Sequence, residues 1–582
     1  MVSSLSTRHS RLASAVFRLK TAGLQLRRSL HNLLVPLPYH RPHPVTLTQL
    51  LAESRTPLWT SLELAEKRLQ LGKAQNLRLA ARHLNGIVIP AGEQFSFWRQ
   101  VGRATARRGF VAGRELREGC LIPSVGGGLC QLSNALYDAA LKAQCQIIER
   151  HAHSQLVPGS AAALGRDATV FWNYLDLRFA PTVPMRIEAH LTQDELLLRF
   201  WSNQDAYPLA PHPFRRVELL APTPRGCDSC GEQACDQHNT SASVVARLPL
   251  PTETVTAYLL EEPWPELGAS VREQMRPQDS VLFPMQSKRY AWDTSGFAKV
   301  RTAPLATLRR SRAVRHAKTP PQRRAAQLAG ARVLAEALGR QIPPEATHVV
   351  VAQTLLPYLW EAGWLGGRSF DVLMTRAPLA TLHAQLDHAL QCRPEARLLG
   401  DFRAPDTLVQ AEQAALAAAL LLLTPHTGTG ALFPEKAVLL PWHLPTVAVP
   451  WKPQYPDTIA FAGPTAARKG AFAVREVARE LGLTVRLRGS ELEGSDFWEG
   501  VRTERVETLA EWLDGVACVV QPAIAEDAPR PLLYAIAAGA PVFASPACGI
   551  TGLPGVHEIP ADDTTALLAA LEARDRLPAR AR

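Results

Sequence analysis

At 582 residues, the chain is long enough for about four domains of ordinary size. Its 46% hydrophobic and 20% charged composition excludes a disordered or fibrous protein and predicts several buried cores. The charge of +11 comes from two segments, because residues 1–52 hold seven Lys/Arg and 294–335 hold ten, neither with any acid, and the rest carries 47 basic against 53 acidic residues.

Residues 1–44 read as a basic leader. Within 8–34, Leu12, Val16, Leu19, Leu24 and Leu26 recur among arginines at loosely helical spacing. Two readings stand: an amphipathic helix resting on an anionic membrane face, and a solvated helix packed on its own domain, preferred for the short apolar face. Arg18, Lys20, Arg27 and Arg28 interrupt the stretch a secretory signal would need. The expected location is therefore cytoplasmic, with contact to the inner face of the membrane through this leader.

Residues 45–205 read as one α+β domain. Helical periodicity runs through 59–84, Pro90-Ala91-Gly92 turns the chain, a helix is expected near 129–143, and strands at 145–150, 168–174 and 185–200. The triple glycine Gly126-Gly127-Gly128 sets Cys130 at the head of that helix. There the positive end of the helix dipole favours a thiolate. The segment CQIIERHAHS (145–154) then delivers His151 and His153, with Asp167 and Asp176 downstream. Nucleophile, base and orienting group are the parts of a thiol enzyme, in the chain order of papain-like ones. Either histidine can be the base, since alternate residues of a strand face opposite sides; His153 is preferred. The structural alternative is a buried small cysteine in a tight glycine turn, beside an ion-pair cluster of Glu149 and Arg150.

KAQNLRLAARHLNGIVIPAGEQFSFWRQVG (73–102), GFVAGRELREG (109–119), GGGLCQLSNALYDAAL (126–141), ERHAHS (149–154) and GRDATVFWNYLDLRF (165–179) resemble the VanW family. That family is named for an accessory protein of B-type vancomycin-resistance clusters. The resemblance covers about 40–200 and implies a link to the cell envelope and glycopeptide resistance, with no catalytic role to carry over. Asn76, Gly92, Phe95, Ser96, Gly128, Cys130, Gln131, His151, His153, Ser154, Arg166 and Asp167 match its pattern.

Residues 206–270 hold Pro-rich linkers around Cys227-x2-Cys230-x4-Cys235-x2-His238. Three thiols and an imidazole at this spacing predict a small clasp on a structural zinc, with iron–sulfur ligation the runner-up. A basic connector, 271–344, follows with Arg309, Arg310, Arg312, Arg315, Lys318, Arg323 and Arg324. It lacks the interleaved aromatics of a nucleic-acid binder, so no specific nucleic acid is expected. A positive rim for an anionic nucleotide sugar or lipid phosphate and a solvated linker helix both fit it.

From 345 onward short apolar strands alternate with helices, which predicts doubly wound parallel sheets, one over 345–450 and one over 451–582, with the break at Pro445–Pro456. The longest apolar run, Ala414–Leu423, is ten residues, short of the roughly 18 needed to span a bilayer. FAGPTAARKGAFAVREVARELG (461–482) and VVQPAIAEDAPRPLLYAIAAGAPVFASPACGI (519–550) resemble the donor half of retaining GT-B glycosyltransferases. The resemblance implies a nucleotide-sugar donor held by Lys469 and Glu526, with Arg468 replacing a lost cation. Pro464 and Tyr534 stand where that family has an arginine and a glutamate. Gly366 and Gly367 match a glycine pair near the acceptor.

The expected architecture is thus a multidomain α/β protein: an N-terminal α+β VanW-like domain, a small Cys/His clasp and a C-terminal pair of Rossmann-like, GT-B-type domains. The expected function is binding or transfer of a sugar from a nucleotide donor, with a nucleotide sugar or cell-wall precursor as partner. The rivals are a non-catalytic sugar- or precursor-binding scaffold and a Cys130-dependent thiol hydrolase or acyltransferase.

Overall fold

The computed structural model describes residues 22–43, 45–59, 64–117, 120–153, 165–205, 254–400 and 403–573. The chain divides into two units, residues 1–255 with 343–347 and 362–369, and the remainder. The expected metal ligands Cys227, Cys230, Cys235 and His238 lie outside the described residues. Among the described residues no group of three or more His, Cys, Asp and Glu could hold a metal ion, and no helix is long and apolar enough to cross a membrane.

In the first unit, residues 22–34 form a helix. The next elements are β1 (Gln49–Pro57), α1 (Leu64–Arg82), β2 (Val88–Ile89), β3 (Phe95–Ser96), and a hairpin of β4 (Ala112–Arg117) with β5 (Cys120–Val125). Then come α2 (Leu129–Lys142), β6 (Gln146–Glu149), β7 (Arg178–Ala180), β8 (Met185–Leu191) and β9 (Glu195–Ser202). One sheet runs β1-β9-β8-β2 and a smaller one β3-β7-β6. β8 alternates buried and half-buried residues, the period-two pattern of a strand with one face on a core. The expected strand at 168–174 is absent; that stretch is irregular, with one bridge from Phe171 to Leu175. Its backbone is instead bonded to side chains of α2, as described below.

The second unit holds two sheets. The first is built from β10 (Thr256–Leu259), β11 (Ser280–Phe283), β12 (Lys299–Thr302), β13 (His348–Ala352), β14 (Ser369–Leu373), β15 (Leu422–Thr424) and β16 (Ala437–Leu439). Its order is β12-β11-β10-β13-β14-β15-β16. It therefore begins at Thr256, earlier than the expected 345. The stretch read as linker and basic connector supplies three strands and the helices α3 (Pro265–Gln274), α4 (Pro304–His316) and α5 (Pro320–Gly339). The apolar run at 414–423 divides between a helix ending at Ala418 and β15.

The second sheet contains β17 (Tyr455–Phe461), β18 (Thr484–Leu487), β19 (Arg502–Arg505), β20 (Val516–Gln521), β21 (Val542–Ala544) and β22 (Val556–Glu558), in the order β19-β18-β17-β20-β21-β22. All its recorded pairings are parallel. β17 shows why: Ile459 and Phe461 pack into one buried cluster and Ala460 into another, so both faces are covered by helices.

Candidate functional site

In the first unit the glycine turn forms because two backbones meet there. A Cβ on Gly127 would stand 2.3 Å from the Gly113 carbonyl oxygen, and Gly128 has φ +93. The fully buried Asn76 fixes the turn, donating from Nδ2 to the carbonyls of Val111 (3.0 Å) and Gly127 (2.9 Å) while its Oδ1 accepts from the Val111 amide. Cys130 follows in the first turn of α2, where amides have no intrahelical acceptor. α2 in turn grips the 165–170 segment. Ser133 Oγ donates to the Ala168 carbonyl at 2.6 Å, and Asn134 Oδ1 accepts from the Ala168 amide at 2.8 Å. The Cys130 sulfur lies 3.9 Å from the Val170 carbonyl.

This places Asp167, almost fully buried, against the chain beyond β6. Its Oδ2 accepts from the His153 amide (2.6 Å) and pairs with His153 Nδ1 (2.7 Å); its Oδ1 accepts from Arg150 (2.5 Å). Cys130 lies beside the same imidazole and favours its charged form. Burial opposes a charge on His153, but Asp167 and Cys130 outweigh it and hold the imidazolium up to about 9. Burial likewise works against the Asp167 carboxylate, and the His153 hydrogen bonds overcome it, bringing Asp167 to about 2. His151 goes elsewhere: its Nε2 lies 3.1 Å from Glu149, which is also paired with Arg28 and Arg178. Asp176 is bonded to Ser96 and Arg178 instead.

In the second unit Lys469 Nζ and Glu526 Oε2 are 2.6 Å apart, both buried. The pair forms because Gly470, with φ +80, passes so close to the Pro522 carbonyl oxygen that a Cβ would lie 2.2 Å from it. The Arg468 carbonyl accepts from the amides of Ile524 (2.9 Å) and Ala525 (3.0 Å), bringing the Glu526 loop alongside. Burial raises Glu526, but the Lys469 charge and hydrogen bond prevail and keep its carboxyl below the usual range. The buried His426, after β15, sits 3.1 Å from the carbonyls of Glu526 and Ala547. Burial lowers its basicity, so at neutral pH it is an uncharged bridge between the two sheets of this unit. Tyr534 packs on the apolar cluster of the second sheet.

The expected acceptor pair Gly366-Gly367 belongs to the segment grouped with the first unit. The Gly367 amide donates to the Thr192 carbonyl at 2.7 Å, and a Cβ on Gly366 would lie 2.6 Å from the Leu191 carbonyl oxygen. Close backbone packing accounts for these glycines.

The second unit also holds a cleft to which the sequence assigned only the basic run as a rim. It is a cavity of about 630 Å³ at the carboxyl ends of β10, β13 and β14. Five arginines line it, Arg289, Arg310, Arg315, Arg324 and Arg376, against Glu261, Glu262 and Asp527. Arg310 pairs with Glu261, and Arg376 with Glu412 at 3.1 Å. The hydroxyl of the buried Tyr358 and Nη1 of Arg376, both on its wall, have no hydrogen-bond partner. A smaller cavity of about 180 Å³, lined by Gln385, His426, Thr429 and Glu526, shares Asp527 with the cleft. The signal in the sequence was the acid-free run of arginines; which side of α4 and α5 would face a cavity was not readable from it.

Fold and site thus define a chain with an α+β domain carrying a Cys-His-Asp cluster and a unit of two parallel sheets with an arginine-lined cleft. Residues 72–201 match the family described as VanW like protein, so the chain carries a VanW-type domain there. It is 34% identical over 153 residues to the vancomycin B-type resistance protein VanW of Enterococcus faecalis, covering 26% of this chain and 56% of that protein. It is 33% identical over 133 residues to the uncharacterized protein YoaR of Bacillus subtilis, covering 22% and 43% respectively. The chain therefore spans only about half the length of these relatives. Among solved structures, sucrose-phosphate synthase from Thermosynechococcus elongatus aligns over 56% of this chain and 91% of its own, at 14% identity and a TM-score of 0.38. The lipopolysaccharide glycosyltransferase WaaG aligns over 55% and 90%, at 16% identity and a TM-score of 0.31.

Proposed function

We propose that the second unit binds a nucleotide sugar and transfers its sugar to a cell-envelope acceptor, alongside a VanW-type domain. The observation that carries this reading is the arginine-lined cleft at the carboxyl ends of parallel strands, where open α/β sheets hold their ligands. Arg310, Arg315, Arg324 and Arg376 suit a diphosphate, because a guanidinium fork matches phosphate oxygens two at a time. Tyr358 and Arg376 offer donors with no partner within the protein. In transfer, the bond from the sugar's anomeric carbon to the diphosphate breaks, one to the acceptor hydroxyl forms, and the arginines receive the charge of the departing diphosphate. Peripheral contact with an anionic membrane through the leader would bring a lipid-borne acceptor within reach.

Calorimetric titration of the full chain with UDP and UDP-sugars tests the reading. Binding that weakens about tenfold or more in an Arg315→Ala, Arg324→Ala double variant is expected. No heat with any nucleoside diphosphate or its sugars overturns it. A second reading, binding without transfer, is favoured by two observations: Lys469 and Glu526 satisfy each other, and Tyr534, where the GT-B pattern has a glutamate, packs against the apolar cluster. Bound donor with no release of free nucleoside diphosphate would select that reading.

A further inference from the structure

The first unit brings together three groups that the nucleotide-sugar reading does not use. Cys130 is half-buried in the first turn of α2, His153 keeps 21% of its side chain exposed, and Asp167 is buried behind it. Each is set by a different device: the glycine turn and Asn76 place Cys130, Ser133 and Asn134 place the 165–170 backbone, and Asp167 holds both the amide and Nδ1 of His153. The result is a nucleophile beside an imidazole whose Nδ1 is oriented by a carboxylate, with sulfur and ring both partly exposed.

We propose that Cys130, His153 and Asp167 form a thiol acyl-transfer centre acting on a carboxamide or ester carbonyl. The Cys130 sulfur attacks the carbonyl carbon and a C–S bond forms. The C–N or C–O bond breaks, and the His153 imidazolium gives its proton to the departing amine or alcohol. Water then attacks the thioester as His153 takes one of its protons. The C–S bond breaks, a carboxylic acid leaves, and the free Cys130 sulfur and the His153 imidazolium are restored. No oxidant or metal enters the balance. Asp167 acts through His153, fixing its ring orientation and stabilising its charged form.

The test is reaction of the full chain with p-nitrophenyl acetate at pH 6.5, read as nitrophenolate released and as acetylated peptides by mass spectrometry. The expected result is a burst of about one nitrophenolate per chain with the acetyl group on Cys130, lost in Cys130→Ala and slowed about 100-fold in His153→Ala. The exposed Cys392 is an internal reference in the same sample, so the comparison stands even where a variant folds poorly. Labelling of Cys130 no faster than that of Cys392, or unchanged in His153→Ala, overturns the proposal.

Discussion

His153 and Asp167 carry opposite titrations that make one pH window. His153 is raised from 6.5 to about 9 in the folded chain, so its contribution to stability is full below pH 6.5 and is lost as pH rises to 9. Asp167 is lowered from 3.8 to about 2, so its contribution is full above 3.8 and is lost as pH falls through 2. The pair is strongest between those limits. Thermal unfolding of wild type and His153→Ala should therefore differ most near pH 5 to 6 and converge toward pH 9; a gap that stays constant over pH 6.5 to 9 contradicts the assignment. Asp167→Asn leaves the Arg150 guanidinium without its buried partner and is expected to cost about 3 kcal/mol in denaturant unfolding. The sequence offered two histidines at alternate positions. What separates them is that β6 ends at Glu149, so both lie past the strand and the alternation that left the choice open does not apply. That ending depends on where the 165–170 backbone runs, which tertiary contacts fix.

At the scale of elements, long periodic segments were legible and short buried ones were not. The helix expected within 59–84 is observed at Leu64–Arg82, and the one near 129–143 at Leu129–Lys142. β10, β11 and β12 are four residues each, and β10 and β11 are buried on both faces, so they show no polar alternation to read. They lie among prolines and arginines that suggested a linker. The glycine turn was visible as a motif, but its reason is the hairpin β4–β5 lying against it: Gly127→Ala drives a methyl into the Gly113 carbonyl and should cost about 2 kcal/mol. The described part of the leader, the 22–34 helix, packs on its own domain, the reading the sequence preferred. Gln25, Arg28, Ser29 and Asn32 bond to Trp172, Glu149, Asn173 and Arg178 of the domain. Leu26, Leu30, Leu33 and Leu34, 55 to 83% exposed, form the opposite face at helical spacing. With seven cations and no acid in residues 1–52, we propose that this face rests on an anionic bilayer. Vesicles rich in phosphatidylserine should sediment the protein and neutral ones should not, and Leu30→Asp with Leu33→Asp should abolish sedimentation. Equal binding to both vesicle types contradicts it.

For the molecule as a whole, the division of charge seen in the sequence has a structural counterpart. The acid-free run at 294–335 is no free connector: it forms β12, α4 and most of α5, and Arg310, Arg315 and Arg324 from it line the cleft of the second unit. The paired parallel sheets were legible from strand–helix rhythm and the proline-rich break. The cleft was not, because it is assembled from residues 261 to 528, far apart in the chain. Under the proposed function this cleft holds the diphosphate of a nucleotide sugar. The most direct measurement is a crystal structure of the full chain with UDP. The expected result is diphosphate density against Arg310, Arg315, Arg324 and Arg376, with the hydroxyl of Tyr358 engaged. UDP bound elsewhere, with this cleft empty, would contradict it.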